Sequence, residues 1–233
     1  MIATCPKPPS DQRPHYFFGV DLGQKRNHTA LAVLEKRWIP GTPDQYRWSA
    51  AREYYGEFRY EVVRLERLAL NTRYSDVVDW LEAEVERIYW PCVKTTLVDA
   101  TGVGSAVMDQ MRRVTSLAKG TRLLAVHITG GLHTGYSNGK NEMNVSRTEV
   151  MSALRAAVEN KAFIVNPKQI RTRDVDTLRE ELKRISTQST DKPSETDQDD
   201  LAFALALSVW WAKPQSALAF QLPWHSIPHP KAA

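Results

Sequence analysis

The chain has 233 residues, 42% of them apolar and 25% charged, proportions that exclude a wholly disordered chain and fit one substantial globular core. Its 31 basic and 27 acidic residues leave a net charge of +4, which permits a nucleic-acid partner without demanding one. Residues 16–23, Tyr-Phe-Phe-Gly-Val-Asp-Leu-Gly, are a short apolar run closing on an acid and a glycine turn, and they predict a buried strand. After a polar turn at 24–28, Thr29 to Leu34 predicts a second strand. A turn at 41–44 precedes Arg59 to Leu65, whose alternation predicts a third. Ser75 then reads as the N-cap of a helix with Val77, Val78, Leu81, Val85 and Ile88 at helical spacing. The five acids between Asp76 and Glu86, with no base among them, read as a solvated helix face.

Thr95 to Ala100 predicts a fourth strand, again ending on an acid, Asp99. It leads through Thr101-Gly-Val-Gly104 into a helix running to about Leu117. Arg122 to Ile128 is a fifth strand and residues 130–144 a glycine-rich polar loop. A helix over about 146–160, a short apolar piece at 163–165 and a helix over about 174–185 follow. A polar loop at 187–196 leads to an apolar helix over about 197–212, which Pro214 prevents from continuing. Its twelve-residue run, 201–212, is too short for a bilayer, which needs roughly 20, and reads as a buried core helix. The order predicts an α/β protein with a mixed sheet. Residues 1–15 read as a flexible segment without a signal core, and 213–233 as a proline-rich tail. Cys5 and Cys92 are too few for a disulfide scaffold and match no metal spacing, so a reduced, cytoplasmic protein is expected.

Ligands of open α/β sheets gather at the carboxyl ends of the strands. Asp21 and Asp99 both lie at such ends, while Asp197, Asp199 and Asp200 open the last helix. Singly, a strand-end aspartate reads as a turn residue and a helix-opening one as a cap. Jointly they suit hard divalent cations, which prefer carboxylate oxygens. On a helix Asp197 and Asp200 share a face, and Asp200 lies beside the positive end of the helix dipole.

These stretches resemble the nuclease domain of the phage terminase large subunit, a ribonuclease H-like, retroviral-integrase-like nuclease. The likeness is carried by Gly19-Val-Asp21-Leu-Gly23 with Thr29-Ala-Leu-Ala-Val33 and by Val98-Asp99-Ala-Thr-Gly102-Val-Gly104. Two further stretches carry it: the helical pair spanning Val145 to Val150 and Leu178 to Leu182, and Asp199-Asp200-Leu-Ala-Phe-Ala-Leu-Ala-Leu207. It covers roughly residues 16–212, taken here as the nuclease domain. The Asp197-x-x-Asp200 spacing is also similar to the last acids of Holliday-junction resolvases of this fold. Terminase nucleases often carry another acid before the second strand, where this chain has Asn27 and His28.

The resemblance implies a ribonuclease H-like mixed five-stranded sheet, its first three strands antiparallel, flanked by helices. It also implies two Mg²⁺ or Mn²⁺ ions on Asp21, Asp99, Asp197 and Asp200, with Asp21, Asp99 and Asp200 catalytic and His28 and Asp199 assisting. The implied partners are double-stranded DNA and a separate packaging ATPase, small terminase subunit or portal, with no membrane. A motor domain is not expected in this length. Thr134 to Asn141 fails as a phosphate loop, since Thr134 replaces the first glycine and Asn141 follows the lysine. Other readings are a junction resolvase, a non-catalytic DNA-binding module, and an actin-like ATPase, whose second phosphate motif is missing.

Charge is unevenly spread. Residues 111–140 contain five bases and no acid, whereas 187–200 contain five acids and one base. Arg112, Arg113, Lys140 and Arg147 are the expected phosphate contacts, which predicts weak sequence specificity. His127 is expected in the core and His133 is a further candidate base; Trp210 and Trp211 are expected to pack the last helix.

Overall fold

The computed structural model describes residues 11–23, 25, 27–40, 56–89, 91–102, 105–130, 135–137, 141–166, 170–187 and 199–213. Five strands form the middle of one mixed sheet: β1 (His15–Asp21), β2 (Ala30–Pro40), β3 (Gly56–Arg67), β4 (Val93–Asp99) and β5 (Arg122–Thr129). The first three are antiparallel neighbours, while β4 runs parallel to β1 and β5 parallel to β4. The expected mixed five-stranded arrangement, its first three strands antiparallel, is therefore present. Three short strands extend it at the edges: β6 (Gly135–Ser137), β7 (Glu142–Ser146) and β8 (Ile164–Val165), giving the order β6-β7-β5-β4-β1-β2-β3-β8. The stretch read as a loop after β5 thus contributes an antiparallel pair to one edge.

Successive side chains of a strand point to opposite faces, and the central strands are apolar on both. Phe17, Leu34, Leu97 and Leu124 enter one core; Phe18, Val33, Val98 and Ala125 enter the other. The second core is closed by α1 (Tyr74–Glu86), α2 (Ser105–Arg113) and α3 (Thr115–Lys119). The first is closed by α4 (Arg147–Glu159), α5 (Thr172–Thr187) and α6 (Asp200–Ala212). The result is a sheet covered by helices on both faces.

Strands β2 and β3 run longer than expected, and the helices depart from expectation as well. Helix α1 starts at Tyr74 with Arg73 at the N-cap, and the Ser75 hydroxyl donates to Asp76 instead of capping. Its acid-rich face is not simply solvated: Glu84 is buried and accepts from Arg64 at 2.9 Å, and the Ser116 hydroxyl lies within hydrogen-bond reach of both Glu82 and Glu86. The helix expected to run to Leu117 breaks at Val114, whose extended backbone divides α2 from α3. Helix α6 begins at Asp200, three residues later than expected, with Asp199 at the N-cap. Asp197, Lys140, His133, residues 1–10, the 41–44 turn, most of the 187–196 loop and the tail from Pro214 lie outside the described residues.

Helix α6 is buried almost all round, as a helix apolar on every face must be. Its seat on the sheet is made by Gly19. A Cβ there would lie 1.9 Å from the Ala204 carbonyl oxygen and 2.7 Å from Ser208 Oγ, so only glycine lets α6 approach β1 this closely. Ser208 Oγ lies 3.0 Å from the Phe17 carbonyl and 3.1 Å from that of Ala32, fixing the helix along the β1–β2 seam. Trp210 donates from Nε1 to Glu149 at 2.9 Å, and Trp211 packs tilted beside it under Arg122, as the packing reading of both tryptophans required. Among the described residues, no helix is long and apolar enough to cross a membrane.

Candidate functional site

The acids meet where sheet and helix geometry direct them. Strands β1 and β4 pair in parallel with Val20 opposite Val98, so Asp21 and Asp99 follow side by side at the same end of the sheet. Across β1, β2 and β3 the register sets Asp21 opposite Ala30 and Ala30 opposite Arg67. Asp99, Asp21, Ala30 and Arg67 therefore form one row across four strands. Helix α6, seated over β1, delivers its N-terminus above that row. There Asp200 accepts at Oδ2 from Arg67 Nη2 at 2.9 Å and from the His28 backbone N–H at 3.3 Å.

Asp99 and Asp199, like Asp200, have defined holders. Asp99 Oδ1 accepts from the Thr101 N–H at 2.8 Å, and Thr101 Oγ1 accepts from the Ile128 N–H at 2.7 Å, tying the turn after β4 to β5. Asp199 Oδ2 accepts from Arg147 Nη2 at 2.6 Å, and that guanidinium also stacks 4.2 Å above the Phe203 ring. Arg147 opens α4, whose N-cap Ser146 accepts from the Glu149 N–H at 3.1 Å.

Burial sets the electrostatics. It drives the Asp21 carboxyl well above the usual carboxylate range, and neighbouring Asp99 and Asp200 push it further while Arg147 opposes. Asp99 is also raised by burial, against the hydrogen bonds from Thr101. Asp200, 2% exposed, is raised by burial against the pull of Arg67 and the His28 N–H. Three carboxyl groups are thus held together at a cost to their charged forms.

The structure brings together Asp21, Asp99, Asp199, Asp200 and Arg147. It places the other expected residues differently. The His28 ring engages the Leu68 carbonyl, 2.7 Å from Nδ1, and its backbone N–H makes the hydrogen bond to Asp200. His127 is not a core residue: its side chain is 40% exposed, with Nε2 3.9 Å from Glu142. Arg112 is engaged by Asp109 at 3.2 Å and Glu142 at 2.9 Å, whereas Arg113 at the end of α2 is exposed.

Sequence reading missed two residues. Arg67 lies two positions beyond the stretch read as the third strand. Glu181 is 1% exposed, accepts the Ala202 N–H at 2.7 Å, and is pushed by burial to a pKa of about 7. Its signal was an acid on the same helix face as Leu178, Leu182 and Ile185, a position that ordinarily takes an apolar side chain.

The donor chemistry of the acid cluster fits a hard divalent cation: carboxylate oxygens, partly withdrawn from solvent and mutually repelling, at one sheet end. Among the described residues, no set of three His, Cys, Asp or Glu side chains is disposed to hold a metal ion as it stands. Arg67 lies against Asp200 and Arg147 against Asp199, and these two cations neutralise part of the cluster.

No protein-family model and no curated protein matches the chain. Solved structures do. The Mn-soaked human cytomegalovirus terminase nuclease domain aligns over 83% of this chain and 81% of its own, with a TM-score of 0.50 and 13% identity. The large terminase nuclease of thermophilic phage G20c covers 88% and 90%, at a TM-score of 0.47 and 16% identity. Thermus thermophilus RuvC covers 86% and 97%, at 0.35 and 12%. The chain shares the ribonuclease H-like fold of terminase large-subunit nuclease domains, as the sequence resemblance led one to expect.

Proposed function

We propose that residues 16–212 form a metal-dependent endonuclease that hydrolyses DNA phosphodiester bonds, of the type that cuts concatemeric viral DNA during packaging. One observation carries the reading. Asp21, Asp99 and Asp200, far apart in sequence, converge at one end of a terminase-type sheet, each with its charged form disfavoured by burial. A fold does not gather such a cluster for stability, since like charges brought together out of water cost free energy even where Arg67 and Arg147 offset part of it. Perturbed acids gathered at the end of a sheet are instead a mark of function.

Asp21, Asp99 and Asp200 would hold two Mg²⁺ or Mn²⁺ ions, with Asp197 and Asp199 assisting. When bound, such ions lower the pKa of a water and stabilise the leaving oxygen of the phosphodiester. The protein's own part is to fix the oxygens. Thr101 aims Asp99, the His28 amide and Arg67 aim Asp200, and Arg147 holds Asp199 while offsetting the charge of Asp21. Exposed Arg113, together with Lys140, supplies contacts to the DNA backbone. Arg112 joins them only by giving up Asp109 or Glu142. Packaging would need a separate ATPase as partner.

The test is cleavage of supercoiled, linear and four-way-junction DNA by the intact chain in Mn²⁺ or Mg²⁺. Cutting of linear and supercoiled duplex without sequence preference is expected. A strong preference for the junction would reassign the protein to a resolvase. Binding without cutting in either metal would contradict the nuclease reading and favour a non-catalytic module.

A further inference from the structure

The first turn of α6 has backbone N–H groups with no partner inside the helix. Its N-cap residue, Asp199, makes no side-chain cap bond and is drawn instead to Arg147. The acceptor comes from another element. Glu181 Oε2, on α5, takes the Ala202 N–H at 2.7 Å. The other oxygen, Oε1, is buried without a hydrogen-bond partner among the described residues and lies 3.9 Å from Arg67 Nη1. Arg67 in turn donates to Asp200 at 2.9 Å. Glu181 thus grips the same helix turn twice, directly at Ala202 and through Arg67 at Asp200. A cleft of about 630 Å³ between the end of β3 and α5 is lined by both Arg67 and Glu181.

We propose that Glu181 and Arg67 are positioning residues that set the height and rotation of the α6 N-terminus, and thereby where Asp200 presents its carboxylate to a metal. This rests on Asp200 being a metal-holding carboxylate. A helix N-terminus capped from a different helix is a two-body joint: its position follows α5 and β3 as well as α6. Groups that orient metal ligands affect affinity by about 10–100-fold when removed. A merely structural buried glutamate would affect stability alone.

The test compares wild type, Glu181→Ala and Glu181→Gln in the full chain, by amide hydrogen exchange with ¹⁵N spectra and by Mn²⁺ titration calorimetry. Glu181→Ala is expected to speed exchange and shift the amides of residues 200–203 while those of β1 and β4 hold still. Mn²⁺ binding should weaken about tenfold. Glu181→Gln, whose amide oxygen still accepts from Ala202, should leave the exchange near wild type and recover most of the Mn²⁺ affinity. Unchanged amides at 200–203 in Glu181→Ala would overturn the proposal, as would altered amides with unchanged Mn²⁺ affinity. If wild type binds no Mn²⁺, the nuclease reading fails, and the exchange data still decide whether Glu181 positions Asp200. Should Glu181→Ala fail to fold, the Gln variant and Arg67→Lys carry the same comparison. A wild-type exchange pattern and Mn²⁺ affinity in Arg67→Lys would contradict the guanidinium's role.

Discussion

Asp21 concentrates the electrostatic cost of the site. Its carboxyl is raised well above the usual range by burial and by Asp99 and Asp200. The unfolded chain releases that proton near pH 4, the folded chain only at higher pH. Between those limits the unfolded state binds fewer protons, so stability falls as pH rises, by about 1.4 kcal/mol per unit for a fully separated group. Below pH 4 both states are protonated and the difference vanishes. Asp21→Asn should therefore melt higher than wild type at pH 7, with the gap closing as pH falls below about 4, measured by calorimetry without metal. Adding Mn²⁺ should raise the wild-type melting temperature and leave the variant's unchanged. A variant less stable than wild type at pH 7 would show that Asp21 is stabilised by partners rather than strained by its neighbours.

At the scale of elements, the site depends on how closely α6 approaches β1. Gly19 makes that contact, with no space for a methyl group against the Ala204 carbonyl. Gly19→Ala should push α6 away, costing about 1–3 kcal/mol in denaturant unfolding and moving Asp200 relative to Asp21. Ser208→Ala, which removes only the hydroxyl bridge to Phe17 and Ala32, should cost about 1 kcal/mol and leave the acids in place. A larger loss from Ser208→Ala than from Gly19→Ala would contradict this account of the seam.

The same elements show what sequence could carry. The strands bearing Asp21 and Asp99 announce themselves by apolar runs ending in acids, and α6 by twelve near-continuous apolar residues. Local pattern suffices there because burial on both faces demands it. Arg67 and Glu181 were not legible in the same way. Their roles come from cross-strand register and from α5 packing on α6, long-range facts with no local signature. The edge pair β6–β7 was missed because the two strands are only three and five residues long, too short for a clear alternation. His127 misled for a similar reason: its strand is buried, but its own position faces the exposed end beside Glu142.

Over the whole molecule, the net charge of +4 hides opposed regions, a base-only stretch at 111–140 and an acid-rich one at 187–200. Backbone-directed binding through such bases should weaken steeply with salt, and Arg113→Ala should reduce the slope of log K against log salt by about one. An unchanged slope would remove Arg113 from the DNA track. The central claim is that Asp21, Asp99 and Asp200 form one metal-dependent cutting centre. Plasmid nicking by wild type and Asp99→Ala, side by side in Mn²⁺ and in EDTA, tests it most directly. Nicking by wild type in Mn²⁺ alone, with none by Asp99→Ala, is the predicted result. Nicking that survives Asp99→Ala, or wild-type nicking that persists in EDTA, would contradict it.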